Sequence, residues 1–278
     1  MRTKELMEAV KGAGKTFFEG LQILDLIEPV VKDIDRGIYE ITGDGHLRPV
    51  KFRRPGDWTW IKVDKMPERK CHIWMDTYFK YYRIIPKGCR HCWKVVVTVD
   101  HLLKLLQMVE IQEGMGLNAK CGMERRPYGT TLNTYLAFWY APMNGGLRGG
   151  RRLYKHVKEH LEKVWPDGGW TVMLKRGCTE MQQAGPSDKW DDDAEYYDRT
   201  EQMLDAVWVF PKVPYIMTDL QRIHTMNLWT TWSSERNTDY LKLTGDKNFS
   251  VQQMHYEDSI HADKDFLGLV QKPSLEVV

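Results

Sequence analysis

The segment WKVVVTV at 93–99, followed at once by the leucine-rich stretch Asp100 to Gln112, constrains the fold more than any other feature. Three successive valines and a β-branched threonine favour extended backbone, while Leu102, Leu103, Leu105, Leu106 and Val109 recur at helical spacing. A strand feeding a buried helix is expected. After the turn-rich KCGMERRPYG comes a second apolar strand, Leu132 to Ala141, then a Gly-rich loop and a helix with Leu153, Val157, Leu161 and Val164 on one face. Trp170 to Leu174 closes the unit as a strand. If Gly116 to Cys121 supplies a short strand, the order is that of a ferredoxin-like βαββαβ layer within an α+β chain; without it, another mixed α/β sheet is expected.

Three regions follow: a helical lead-in and β-hairpin over 1–66, a cysteine-containing α/β core over 67–215, and a C-terminal helical extension over 216–278. The lead-in reads as helical over 4–32, broken near Gly12 and Gly14. The hairpin pairs Ile38–Thr42 with Leu47–Phe52 around Gly43-Asp44-Gly45. Asp191 to Asp193 open a helix over 194–206, Val207 to Phe210 reads as a strand, and helices are expected over 218–232 and 250–261.

A net charge of +2 does not by itself call for a nucleic-acid partner, so local patches must carry that argument. The start, MRTKELMEAVKG, lacks the apolar stretch of a secretory signal, and no apolar run approaches the roughly 20 residues of a membrane span. A cytoplasmic chain with no membrane partner is the expectation, and its cysteines should be reduced thiols.

Cys89 and Cys92 stand as CRHC, a spacing that lets two thiolates face one tetrahedral metal. Cys71 and Cys121 flank them and complete a four-sulfur set, for which zinc is the default metal and an iron–sulfur cluster the alternative. Cys178, in KRGCTE, is a fifth thiol: a candidate nucleophile or an ordinary buried group. Lys120 and Glu124 beside Cys121 offer a general acid or base and a cation, so Lys120, Glu124 and Cys178 are the candidate catalytic residues. His255, Glu257, Asp258, His261 and Asp263 form another dense set of ligand types, more simply read as a charged helix face.

Phosphate recognition is expected from Arg125 and Arg126 and from Arg148, Gly149, Gly150, Arg151 and Arg152, where a Gly-rich loop follows a strand and opens a helix. Gly146, Gly150 and Leu153, after Pro142, resemble the pyrophosphate loop of the GNAT acetyltransferases over about thirty residues, and the resemblance implies an acyl-CoA ligand. Arg148 departs from it by standing where that family usually has glycine.

Two functions are expected from these features. One is a zinc-braced protein that recognises phosphate groups of nucleic acid or nucleotides, with Trp or Tyr stacking beside the arginines. The other is an enzyme acting on a nucleotide-like or acyl-CoA substrate through Lys120, Glu124 and Cys178.

Overall fold

The computed structural model describes residues 27–43, 46–50, 59–63, 71–124, 135–210, 217–234 and 240–245. In chain order, a single 3-10 turn, Glu28–Val30, leads into helix α1, Val31–Asp35, which ends the expected lead-in; most of that lead-in lies outside the described residues. Strands β1, Tyr39–Ile41, and β2, Leu47–Pro49, form the expected antiparallel hairpin, with Tyr39 opposite Pro49. Strand β3, Trp60–Lys62, was not foreseen.

Helix α2 runs from Cys71–Ile73 through a π-helical stretch, Trp74–Phe79, to Lys80–Tyr82, and Arg83 ends it in the left-handed conformation at φ 58°. The short helix α3, Lys87–Arg90, then carries Cys89. Next come β4 (Trp93–Val99), α4 (Leu102–Met115), β5 (Ala119–Met123), β6 (Tyr135–Tyr140), α5 (Gly146–Val164) and β7 (Trp170–Arg176). Helices α6, Ala194–Val207, and α7, Asp219–Ser234, follow. Leu241–Val278 is a separate compact unit whose described part is helix α8, Leu241–Thr244. The helix expected over 250–261 lies outside the described residues.

The main sheet has the order β3-β5-β6-β4-β7, and every neighbouring pair in it is antiparallel. Leaving β3 aside, that is the ferredoxin-like arrangement the element order predicts, and the fold is α+β. The chain after α6 does not form the strand expected over 207–210; Trp208 makes an isolated bridge to Leu47 instead.

Strict alternation gives this sheet two different faces. A Cβ on Gly150 of α5 would lie 3.0 Å from the Cβ of Trp93 and 3.1 Å from Cδ1 of Leu174, so those two side chains point at the helices. By register Val95, Val97, Trp139, Ala137 and Cys121 share their face. That face is buried against Leu102, Leu105 and Met108 of α4 and Val157 and Leu161 of α5. Each fully buried side chain of this size stabilises the fold by about 1.5–3 kcal/mol, so the helical face is a stability element.

A second core holds the end of the sheet where β4 starts and β7 stops. Ile73, Tyr78 and Phe79 of α2 meet Met203 and Leu204 of α6, and the β1–β2 hairpin joins through Tyr39 and Leu47. Tyr78 donates to Asp205 at 2.7 Å. Arg90, only 2% exposed, pairs with Asp198 and donates to the Ile85 carbonyl at 3.0 Å, which pins α3 to α6. Among the described residues no helix is long and apolar enough to cross a membrane.

Candidate functional site

The same alternation sends a different set of side chains to the face away from α4 and α5. Lys62 of β3 is opposite Lys120 of β5, Lys120 is opposite Phe138 of β6, and Lys94 of β4 is opposite Lys175 of β7. Phe138 is opposite Val96 and Lys94 is opposite Tyr140, so the two lysine pairs are offset by two residues and make a stepped row across the sheet. Trp60, two residues before Lys62, lies on this face too, and Gly122 opposite it makes room for its ring. A Cβ on Gly122 would stand 2.6 Å from that ring and 2.2 Å from the Thr59 carbonyl oxygen.

The ring of Trp60 reaches Phe138 edge to face, with centroids 5.4 Å apart. Lys120 Nζ lies 4.2 Å from the Trp60 ring centre and 5.2 Å from that of Phe138, and Lys94 Nζ lies 5.4 Å from Phe138. Trp60, Phe138, Lys62, Lys120 and Lys175 are each partly exposed, whereas Lys94 is 6% exposed.

Cys178 reaches the lysine row because Gly177 turns the chain after β7. Gly177 adopts φ 62°, a region that favours glycine, and its N–H donates to the Cys92 carbonyl at 2.7 Å. A side chain there would also meet the Trp190 ring at 2.3 Å. The turn leaves the Cys178 sulfur 3.6 Å from Lys94 Nζ, and the following 3-10 helix, Thr179–Ala184, brings Thr179 to accept from Lys175 and Glu180 into electrostatic reach of Lys94.

Positive charge dominates the cluster, and the pKa values respond to it. Burial, together with the nearby ammonium groups of Lys94 and Lys62, pushes Lys120 down to about 8, even though part of its side chain touches solvent. Lys175 is lowered as well, by burial and by Lys94. At Lys94 burial also opposes the charge, but Cys178, Cys92 and Glu180 outweigh it and the pKa rises. Glu124 is raised, chiefly by burial, with Lys120 acting against the shift.

The three candidate catalytic residues, Lys120, Glu124 and Cys178, thus come into one electrostatic neighbourhood. Lys94, which acts on Lys120, and Lys175, which feels Lys94 and Cys178, were missed. The signal for them is the period-two alternation of β4 and β7, which places a lysine among apolar residues on the face opposite the helices.

The four-cysteine set does not form as expected. Cys121 alternates with Lys120 and so points into the helical layer, fully buried beside Ala137 and Ile61, and its thiol is raised by burial alone. The sheet itself separates it from the others. Cys71, Cys89, Cys92 and Cys178 do influence one another: Cys89 is raised well above its ordinary value, first by burial and then by Cys178, Cys71 and Cys92. All five are reduced thiols. Among the described residues, no three His, Cys, Asp or Glu side chains converge as a metal ion requires.

The Gly-rich phosphate loop also differs from expectation. Helix α5 begins at Gly146, so Gly149 and Gly150 are buried helical residues whose N–H groups are not displayed in an open loop. Gly150 serves close packing on Trp93 and Leu174. Arg148, Arg151 and Arg152 are exposed on the first turns of α5, in the helical layer and on the other side of the sheet from Lys120. Arg125, Arg126 and the histidine-rich set at 255–263 lie outside the described residues.

No protein-family model, curated protein or solved structure matches this chain.

Proposed function

We propose that this protein recognises phosphate groups of nucleic acid or nucleotides through the lysine row on the face of its sheet away from α4 and α5. The observation that carries this reading is the concentration of Lys62, Lys94, Lys120 and Lys175, with Glu124 and Glu180 the carboxylates in electrostatic reach among the described residues. Like charges held together at partly buried positions raise the free energy of the unliganded protein, and an anion relieves that cost. Phosphate suits such a site because several ammonium groups can each donate to a different oxygen. Arg148, Arg151 and Arg152 add a separate exposed basic patch for a longer polyanion.

Titrating the chain with tripolyphosphate and with a labelled oligonucleotide tests the reading. Binding should weaken as salt rises and should fall at least tenfold in Lys120→Met and Lys175→Met. Equal binding by both variants would sink it.

An enzyme acting on the same class of ligand is a second reading, favoured by the contact of Lys94 with the Cys178 sulfur at 3.6 Å. A cysteine sulfur can attack an electrophilic centre of a ligand whose anionic group the neighbouring lysines hold. On that reading Cys178→Ser retains phosphate binding while turnover of a nucleotide or acyl-CoA substrate is lost.

A further inference from the structure

We infer that the ligand of the lysine row is an unpaired strand of nucleic acid, its bases stacking on Trp60 and Phe138 while the partly exposed Lys62, Lys120 and Lys175 hold its phosphates. This rests on the phosphate reading above and adds a partner to it. The aromatic pair is an independent observation, because phosphate recognition alone needs no rings.

Three features of the face fit a single strand. The first is chemical: stacking platforms interleaved with cations are what a single strand offers partners for, since every base has an apolar face and every nucleotide a charge. Here Lys120 Nζ lies beside both rings, 4.2 Å from the centre of Trp60 and 5.2 Å from that of Phe138. The second is length. From Lys62 on β3 to Lys175 on β7 there are four strand-to-strand steps in the order β3-β5-β6-β4-β7. At about 4.8 Å per step the row spans roughly 19 Å, longer than the phosphates of one nucleotide.

The third feature is shape. Side chains standing on a sheet reach the faces of splayed bases but not those stacked inside a duplex. Gly122 keeps the Trp60 ring low across β5, where a larger residue would displace it, so the two rings form one platform. Behind it, α4 and α5 pack the other face and hold the strands in register.

The test uses the full chain and fluorescence anisotropy with labelled 20-nucleotide oligo(dT) and oligo(U), a duplex of equal length, and tripolyphosphate. One or both single strands should bind at least tenfold more tightly than the duplex. Phe138→Ala and Trp60→Ala should each weaken single-strand binding by about 5- to 100-fold with little change in tripolyphosphate binding. Phe138→Tyr, which keeps the ring, should bind within about twofold of the parent. Circular dichroism establishes folding, and Phe138→Leu replaces the alanine variant if that one unfolds.

Duplex and single strand binding alike, or folded Phe138→Ala or Phe138→Leu binding as the parent does, would overturn the inference while leaving phosphate recognition intact. Loss of every phosphate ligand, tripolyphosphate included, would overturn both. A preference between oligo(dT) and oligo(U) assigns the strand as DNA or RNA.

Discussion

The ammonium of Lys94 donates to the sulfur of Cys178 at 3.6 Å, linking the second residue of β4 to the second residue past the end of β7. Lys94 is almost wholly buried, so its charge depends on this sulfur and on the Glu180 carboxylate nearby. Removing one partner of a buried charge leaves its desolvation uncompensated. Cys178→Ala should therefore destabilise the protein by roughly 1–3 kcal/mol. In Lys94→Met the charge is gone, and the same cysteine change should cost less. A double-mutant cycle by urea denaturation measures the coupling, and additive effects would show that the contact contributes nothing.

Lys120 predicts opposite pH trends for stability and for binding. Folding lowers its pKa from 10.5 to about 8, so between those values the unfolded chain holds a proton that the folded chain has released. Stability contributed by this residue therefore rises with pH from about 8 to 10.5, and the penalty for its charge is fully present below 8. A bound phosphate favours the charged form, so affinity falls as pH rises above about 8. Denaturation and phosphate titrations at pH 7, 8, 9 and 10, for parent and Lys120→Met, isolate the contribution. Both slopes should flatten in the variant.

Cys121 should behave as a core residue. It is fully buried in the helical layer, with the sheet between it and Cys178. Cys121→Ala removes a sulfur from packed surroundings and is expected to lower stability by about 1–2 kcal/mol. The metal content of purified protein, read by elemental analysis, should be the same with and without Cys121. A metal lost in Cys121→Ala alone, with the fold kept, would return Cys121 to a ligand role.

The βαββαβ order was legible because β4, α4, β6 and α5 each carry a strong local pattern: consecutive valines, leucines at helical spacing, and an apolar helix face at Val157 and Leu161. Strand β3 was not, since its three residues carry no periodicity and join the sheet through pairing with β5. The candidate site was half legible. Lys120, Glu124 and Cys178 stood out as chemical types, but their assembly depends on register and on the turn at Gly177, both of which are properties of the folded chain. Cys121 misled because cysteine spacing says nothing about which face of a strand a thiol occupies, and the alternation with Lys120 decided that. The Gly149-Gly150 pair misled because glycine marks close packing as well as loops.

Those two neighbouring glycines separate the two roles in one experiment. Both lie inside α5, where glycine costs roughly 0.5–1 kcal/mol relative to alanine. A Cβ on Gly149 would meet nothing within 4 Å, so Gly149→Ala should stabilise the protein by about that amount. A Cβ on Gly150 would lie 3.0 Å from Trp93 Cβ and 3.1 Å from Leu174 Cδ1, tight enough that α5 or the sheet must give way. Overpacking of this kind typically costs about 1–3 kcal/mol, which exceeds the gain in helix propensity, so Gly150→Ala should destabilise. Thermal melts of the two variants, read against the parent, should therefore shift in opposite directions. A loop that bound phosphate through the N–H groups of these residues would instead show both variants near the parent melting temperature and both weakened in tripolyphosphate binding.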